Sequence, residues 1–476
     1  MSRTAYSQVM KRVFGLLIAG SLLAACSSGN KPGANSASPS NPSTSSTATS
    51  PSPSATPSSS APTSDITNAD WPEYHGNPQR TGVSASMPAA SGHLTANQIK
   101  LDGQVYASPI VDQGTVIVAT EQNTVYGLSL DGQQKWMTKL GAPTPRSKLP
   151  CGNIDPLGIT GTPIVRNGIV YLVASIGESV SHQLFALDLD TGATKWHRSV
   201  DLPGTDPQAM QQRGALAVAG GHVWVPFGGL AGDCGNYKGR VVGVPLQNGD
   251  PIEYTVPTGR EAGIWTPPGP TVLNDDLLVA VGNGESTGGD YDYSDSVLRL
   301  RGNQLVDSFS PQTWASDNAS DLDLGSQGPA LVNQRWVFSA GKSGTAYVLD
   351  ANKLGGINGQ VWQGDLCRSF GGTAVQGDTV FVPCTDGVRA VQIGNTGTAT
   401  VRWHTDEGVA GSPVVGGGRV YALDQQQGRL VALDPATGAQ REQVSVGDVS
   451  RFATPAISGS RLYVPTLAGL TVVDTR

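Results

Sequence analysis

Residues 181–196 read "SHQLFALDLDTGATKW", and this stretch decides the fold. Phe185 and Leu187 alternate with smaller neighbours, as a half-buried strand requires. Asp190-Thr191-Gly192 supplies a tight turn, and Trp196 closes the unit with a large flat side chain. The pattern returns as "TVYGLSLDGQQKW" at 124–136, "TAYVLDANKLGG" at 345–356 and "RLVALDPATGAQR" at 429–441. A repeated strand-turn-strand that cannot bury its apolar face alone predicts a ring of stacked blades, a β-propeller.

Working outward, a second signature opens each unit: a small residue, Pro, two apolar residues, a Gly turn and an apolar strand, more or less worn from unit to unit. It starts at Ser108, Thr162, Gly214, Gly269, Gly328, Gly372, Ser412 and Thr454. Eight starts predict eight blades. The last runs out of chain at Arg476 with three strands placed, while a spare strand stands upstream at 94–103. An N-terminal strand is therefore expected to complete the last blade, so that no edge is left unpaired. Three long insertions, 228–239, 284–294 and 310–326, fall in blades three to five and mark the loop face where a site is expected.

Composition agrees with an all-β chain of short strands and many turns. Charged residues are 14% of the 476, against roughly a quarter in ordinary soluble proteins, and glycine numbers 61. The net charge of −7 carries no basic stripe, which argues against a nucleic-acid partner.

The first 26 residues read as an export signal. Arg3, Lys11 and Arg12 precede an apolar run from Val13 to Ala25, too short for a membrane span. The run ends in "LLAAC", which resembles a bacterial lipobox. That resemblance implies a diacylglycerol anchor on Cys26 and a place on the outer face of the cytoplasmic membrane, with the lipid bilayer as a partner. Residues 27–65, rich in Ser, Thr and Pro, are too poor in apolar groups to offset ordering entropy and read as a disordered tether. Residues 66–476 form the expected propeller. Setting Cys26 aside leaves four cysteines, an even number that suggests two disulfides in an exported chain. Cys367 and Cys384 flank one hairpin region and are paired, leaving Cys151 for Cys234. The spacings lack the paired CxxC of a zinc site.

The "ALDLDTGATKW" repeat resembles the PQQ-type propeller repeat of quinoprotein alcohol dehydrogenases. Non-enzymatic relatives carry it too, among them the lipoprotein propeller of the outer-membrane barrel-assembly machinery. The resemblance runs from about Trp71 to Arg476. In the dehydrogenases a quinone sits over a calcium ion at the ring centre, and several of their motifs have counterparts here. Trp265 in "GIWTPPGP" resembles the tryptophan beneath the quinone, and Asn283 in "VAVGNG" resembles a calcium-binding asparagine. Asp317, Asp321 and Asp323 in "WASDNASDLDLG" all qualify as calcium ligand and base, and Lys342 in "SAGKSG" resembles the cation near the quinone oxygens.

Two features depart from the family. No vicinal Cys-Cys precedes Arg213-Gly214, and Cys234 takes the place of the calcium-binding glutamate, with Asp233 as a substitute. Each loop aspartate also has an ordinary role as a turn former. On these departures the sequence favours a membrane-tethered ligand-binding or protein-scaffolding propeller, its ligand or partner held by the loop face of blades three to five. The alternative is a PQQ- and calcium-dependent dehydrogenase of alcohols or sugars with a diverged site.

Overall fold

The computed structural model describes residues 70–405 and 408–476. The signal segment, Cys26 and the whole tether lie outside the described residues. Within them the chain forms eight sheets around a ring, antiparallel within each blade, with Val83–Ser84 and Gly356–Ile357 each added in parallel to one of them.

Blade one is built from Ile110–Asp112, Thr115–Ala119, Thr124–Ser129 and Gln134–Lys139. Its second strand is buried throughout because both faces are covered by neighbouring blades. The outermost strand buries only Trp136. The same gradient from centre to rim recurs in every blade, with three-residue first strands lining the axis. Burying each Val, Leu or Ile side chain contributes roughly 1.5–3 kcal/mol before the entropy of ordering the chain is counted.

The closing tryptophans join blades to one another. Trp136 Nε1 donates to the Leu189 carbonyl at 2.9 Å, and its ring lies on Gly192 in the turn of blade two. Gly192 has φ +71°, and any Cβ there would strike the indole. Trp403 repeats the contact on blade seven, through the Pro435 carbonyl and Gly438. The turn glycine of the repeat is thus both a conformational and a packing requirement.

Closure is as expected from the strand count. Thr95–Lys100 pairs antiparallel with Gly469–Asp474, completing blade eight. Both disulfides are formed as paired from the sequence, Cys151–Cys234 and Cys367–Cys384.

One element had no reading of its own. Residues 70–84 run through the ring, bonding to inner strands of blades one, two, four, six and seven. Trp71 pairs with Val111, Val165 N donates to Pro72 O, Val272 N to Pro78 O, Val375 N to Thr81 O and Val415 N to Gly82 O. Inside this plug Glu73 is fully buried and ion-paired to both Arg80 and Arg166, while Arg80 also donates to the Leu216 and Pro270 carbonyls. His75 bonds the Thr373 carbonyl and the Thr454 hydroxyl.

Candidate functional site at the ring centre

The loops of blades three to five meet at a cavity of about 530 Å³ on the ring axis. Trp265, Asn283, Asp321, Asp323 and Lys342 all line it. Asp317 does not: it sits in the short helix Trp314–Ala319, accepting the Thr313 hydroxyl at 2.7 Å. Asp292 takes the Ser294 and Thr258 hydroxyls, an ordinary turn role.

Asn283 is the hub of the acidic wall. It follows the strand Asp276–Val281, and its backbone N donates to Asp323 Oδ1 at 2.7 Å. Its Nδ2 donates to Asp321 Oδ1 at 2.8 Å. Its Oδ1 is buried and has no hydrogen-bond partner. An unpartnered buried carbonyl oxygen costs about 1–3 kcal/mol, so its retention asks for a positive group. Lys342 Nζ stands opposite, 2.5 Å from Asp321 Oδ1 and 2.6 Å from Asp323 Oδ2. Burial opposes its charge, but Asp323 and Asp321 more than offset this and hold it above the usual lysine range. Burial raises the Asp323 carboxyl, with Lys342 limiting the rise.

Two further acids complete the wall. Glu261, which sequence reading missed, lies four residues before Trp265 and bridges backbone-to-backbone toward Gly284. Burial raises its carboxyl, Arg260 opposing and Asp233 adding to the rise. Asp233 accepts the Tyr237 hydroxyl at 2.5 Å. Asp233, Glu261 and Asp321 all adopt left-handed backbone, φ +50°, +68° and +53°. Such conformations are uncommon for residues other than glycine and concentrate at functional sites. Glycines keep the cavity open, since a Cβ at Gly282 would strike the Asp323 carboxylate and one at Gly228 the Trp265 side chain.

The opposite wall is aromatic and cationic. The Phe452 and Trp265 rings meet edge to face, with centroids 6.1 Å apart and planes at 74°. The Arg213 guanidinium lies 4.4 Å from the Phe452 ring centre, and that of Arg451 lies 3.9 Å from the ring centre of Phe370. Arg213 has no hydrogen bond or ion pair among the described residues, and its Nε is buried without a partner. Burial lowers its affinity for the proton, to a pKa of about 10.

The cavity therefore has an oxygen-rich side suited to a hard cation and a guanidinium side suited to an anion, with indole and phenyl faces between. An eight-bladed propeller with such a ring-centre site defines the class of fold. The chain belongs to the PQQ-like propeller family. The family model described as outer membrane protein assembly factor BamB matches residues 89–289 and 302–476. No curated protein matches it in sequence.

Solved structures share the fold. Quinohemoprotein alcohol dehydrogenase from Comamonas testosteroni superposes with a TM-score of 0.67 at 17% identity, covering 85% of this chain and 80% of that one. A europium-containing methanol dehydrogenase gives 0.66 at 15%, covering 85% and 98%. BamB from Moraxella catarrhalis gives 0.52 at 17%, covering 80% and 97%.

Proposed function

We propose that the ring-centre cavity takes a divalent cation and a planar anionic quinone, and that the chain is an extracytoplasmic quinone-dependent dehydrogenase. The observation that carries this is the unpartnered Asn283 Oδ1, set among the carboxylates of Glu261, Asp321 and Asp323. The donor set fits calcium, which favours carboxylate and amide oxygens. Glu261 supplies the carboxylate that the sequence assigned to Asp233. The alcohol and methanol dehydrogenases among the structural neighbours support the same choice.

Glu261, Asn283 and Asp323 would hold the cation, and Trp265 with Arg213 would hold the quinone by its face and an acidic substituent. When bound, the quinone supplies a two-electron acceptor. Trp265 and Phe452 exclude water from one side of the reacting region. Lys342 neutralises Asp323 and keeps Asp321 Oδ1 engaged, leaving Asp321 Oδ2 to take the proton of a substrate hydroxyl.

Adding the quinone and calcium to the purified chain should produce turnover of alcohols or sugars with an artificial acceptor, and Asn283→Ala should abolish it. A flat rate with the reconstituted protein would reject the activity. One observation favours a second reading, a scaffold without catalysis: Gln211, not a cysteine, lines the cavity in the segment before Arg213 where the dehydrogenases carry a vicinal disulfide. That reading expects neither quinone nor calcium to bind, and a protein partner on the loop face instead.

Anchoring belongs to the same proposal. The lipobox at Cys26 supports a chain held by lipid on the outer face of the cytoplasmic membrane. Cys26→Ser should release it from the membrane fraction.

A further inference from the structure

Behind the ring-centre cavity lies a buried acid that the proposed chemistry does not use. Glu121 stands in the turn between the second and third strands of blade one and is 1% exposed. Its Oε2 accepts the Gly158 backbone N–H at 2.6 Å, and its Oε1 has no partner. The Thr160 hydroxyl is buried beside it, placed to donate to the carboxylate when Glu121 is ionised. Thr160 lines a small chamber bounded by Tyr74 of the plug and by Arg213 and Phe452, which also line the ring-centre cavity. Thr160 therefore stands between Glu121 and the chamber that Arg213 lines, and Glu121 and Arg213 act on each other across it without closing an ion pair.

We propose that Glu121 sets, through Arg213, how strongly the cavity holds an anion. With a proton on Glu121, Arg213 is an uncompensated cation and binds an acidic group on the ligand. Once Glu121 is ionised, its charge offsets that of Arg213 and the anion is held less tightly. Burial pushes the Glu121 carboxyl up to about 7, which puts the change near neutrality.

The titratable and charged groups facing Glu121 are Arg213 and Tyr106, with Arg451 acting in turn on Arg213. Asp102 lies against the same turn but is engaged by the Thr120 and Thr124 hydroxyls. His182, in the small space beyond Thr160 and Gln212, is bound to Asp201. Glu121 is a positioning residue in this scheme, acting on the ligand only through Arg213.

The inference rests on the quinone reading, and its test separates the two. Calorimetric titration of pyrroloquinoline quinone with saturating calcium, from pH 6 to pH 8, should show affinity falling about tenfold in the native chain. E121Q should hold the tighter value throughout, and calcium binding alone should be equal in both. An unchanged pH profile in E121Q, or a flat profile in the native chain, overturns the proposal. If the quinone binds at no pH, the functional reading fails and a second measurement decides this one. Difference infrared titration of the Glu121 carboxyl should move upward by about one pH unit in Arg213→Gln. An unmoved titration shows that the two groups are not coupled and overturns the proposal without any ligand.

Discussion

The propeller axis carries buried charge in two places, and they are built on opposite principles. In the plug, every charged group is answered from within the chain: Glu73 by Arg80 and Arg166, and Arg80 also by three carbonyls, while the atoms without partners there, Trp71 Nε1 and the Tyr74 hydroxyl, are neutral. At the ring-centre cavity, Arg213 and Asn283 Oδ1 are left without partners, and three acids sit on left-handed backbone. Buried polar groups that satisfy one another hold a structure together. Groups left unsatisfied at a cost are explained by something that arrives later. The contrast identifies the plug as architecture and the cavity as a site.

The most damaging test of the contrast is Glu73→Gln. It leaves Arg80 buried without its carboxylate and should cost about 3–5 kcal/mol in denaturant unfolding. A cost below about 1 kcal/mol would remove the plug's claim to be structural. Replacing both Cys151 and Cys234 by Ala should cost about 2–4 kcal/mol. The bridge joins the 230–234 wall of the cavity to the neighbouring loop, where Gly152 N donates to Ala231 O. The same variant should bind calcium more weakly, because that wall packs Asp233 beside Glu261, which would hold the cation.

Acid and base should act on the two regions with opposite sign. His75 in the plug is buried, which pushes its pKa down to about 3 from an ordinary 6.5. The unfolded chain then binds the extra proton, so this group lowers stability as pH falls below 6.5, by about 1.4 kcal/mol per unit. Glu121 is raised from 4.5 to about 7, so the folded chain binds the extra proton. That group lowers stability as pH rises from 4.5 to 7, at the same slope of about 1.4 kcal/mol per unit. His75→Gln should remove only the acid-side loss and Glu121→Gln only the other, read from midpoints across pH 4–8. The smallest expected effect is that of Asn283→Ala on stability, less than about 1 kcal/mol, since it deletes an unsatisfied oxygen along with one exposed hydrogen bond.

The fold was readable because propeller blades repeat one local pattern. Alternation at period two, a turn glycine and a closing tryptophan recur often enough to count, and the strand deficit at Arg476 pointed to Thr95–Lys100 as its complement. Asn283 and Lys342 were readable as family motifs attached to countable strands. Glu261 was not, because a lone glutamate in "GREAGIW" carries no periodic signal. Its place depends on two consecutive left-handed residues, Glu261 and Ala262. The cationic wall was hidden for a different reason. Arg213, Phe370 and Phe452 come from segments 239 residues apart at the extremes and meet only when the ring closes. Choosing among Asp317, Asp321 and Asp323 likewise needed the short helix that turns Asp317 onto Thr313.

The most direct test is titration of pyrroloquinoline quinone into the purified chain with and without calcium, beside Asn283→Ala. The account predicts saturable, calcium-dependent binding that Asn283→Ala weakens at least tenfold while its unfolding midpoint stays near the native one. Binding that ignores both calcium and Asn283, or no binding at all, would contradict it.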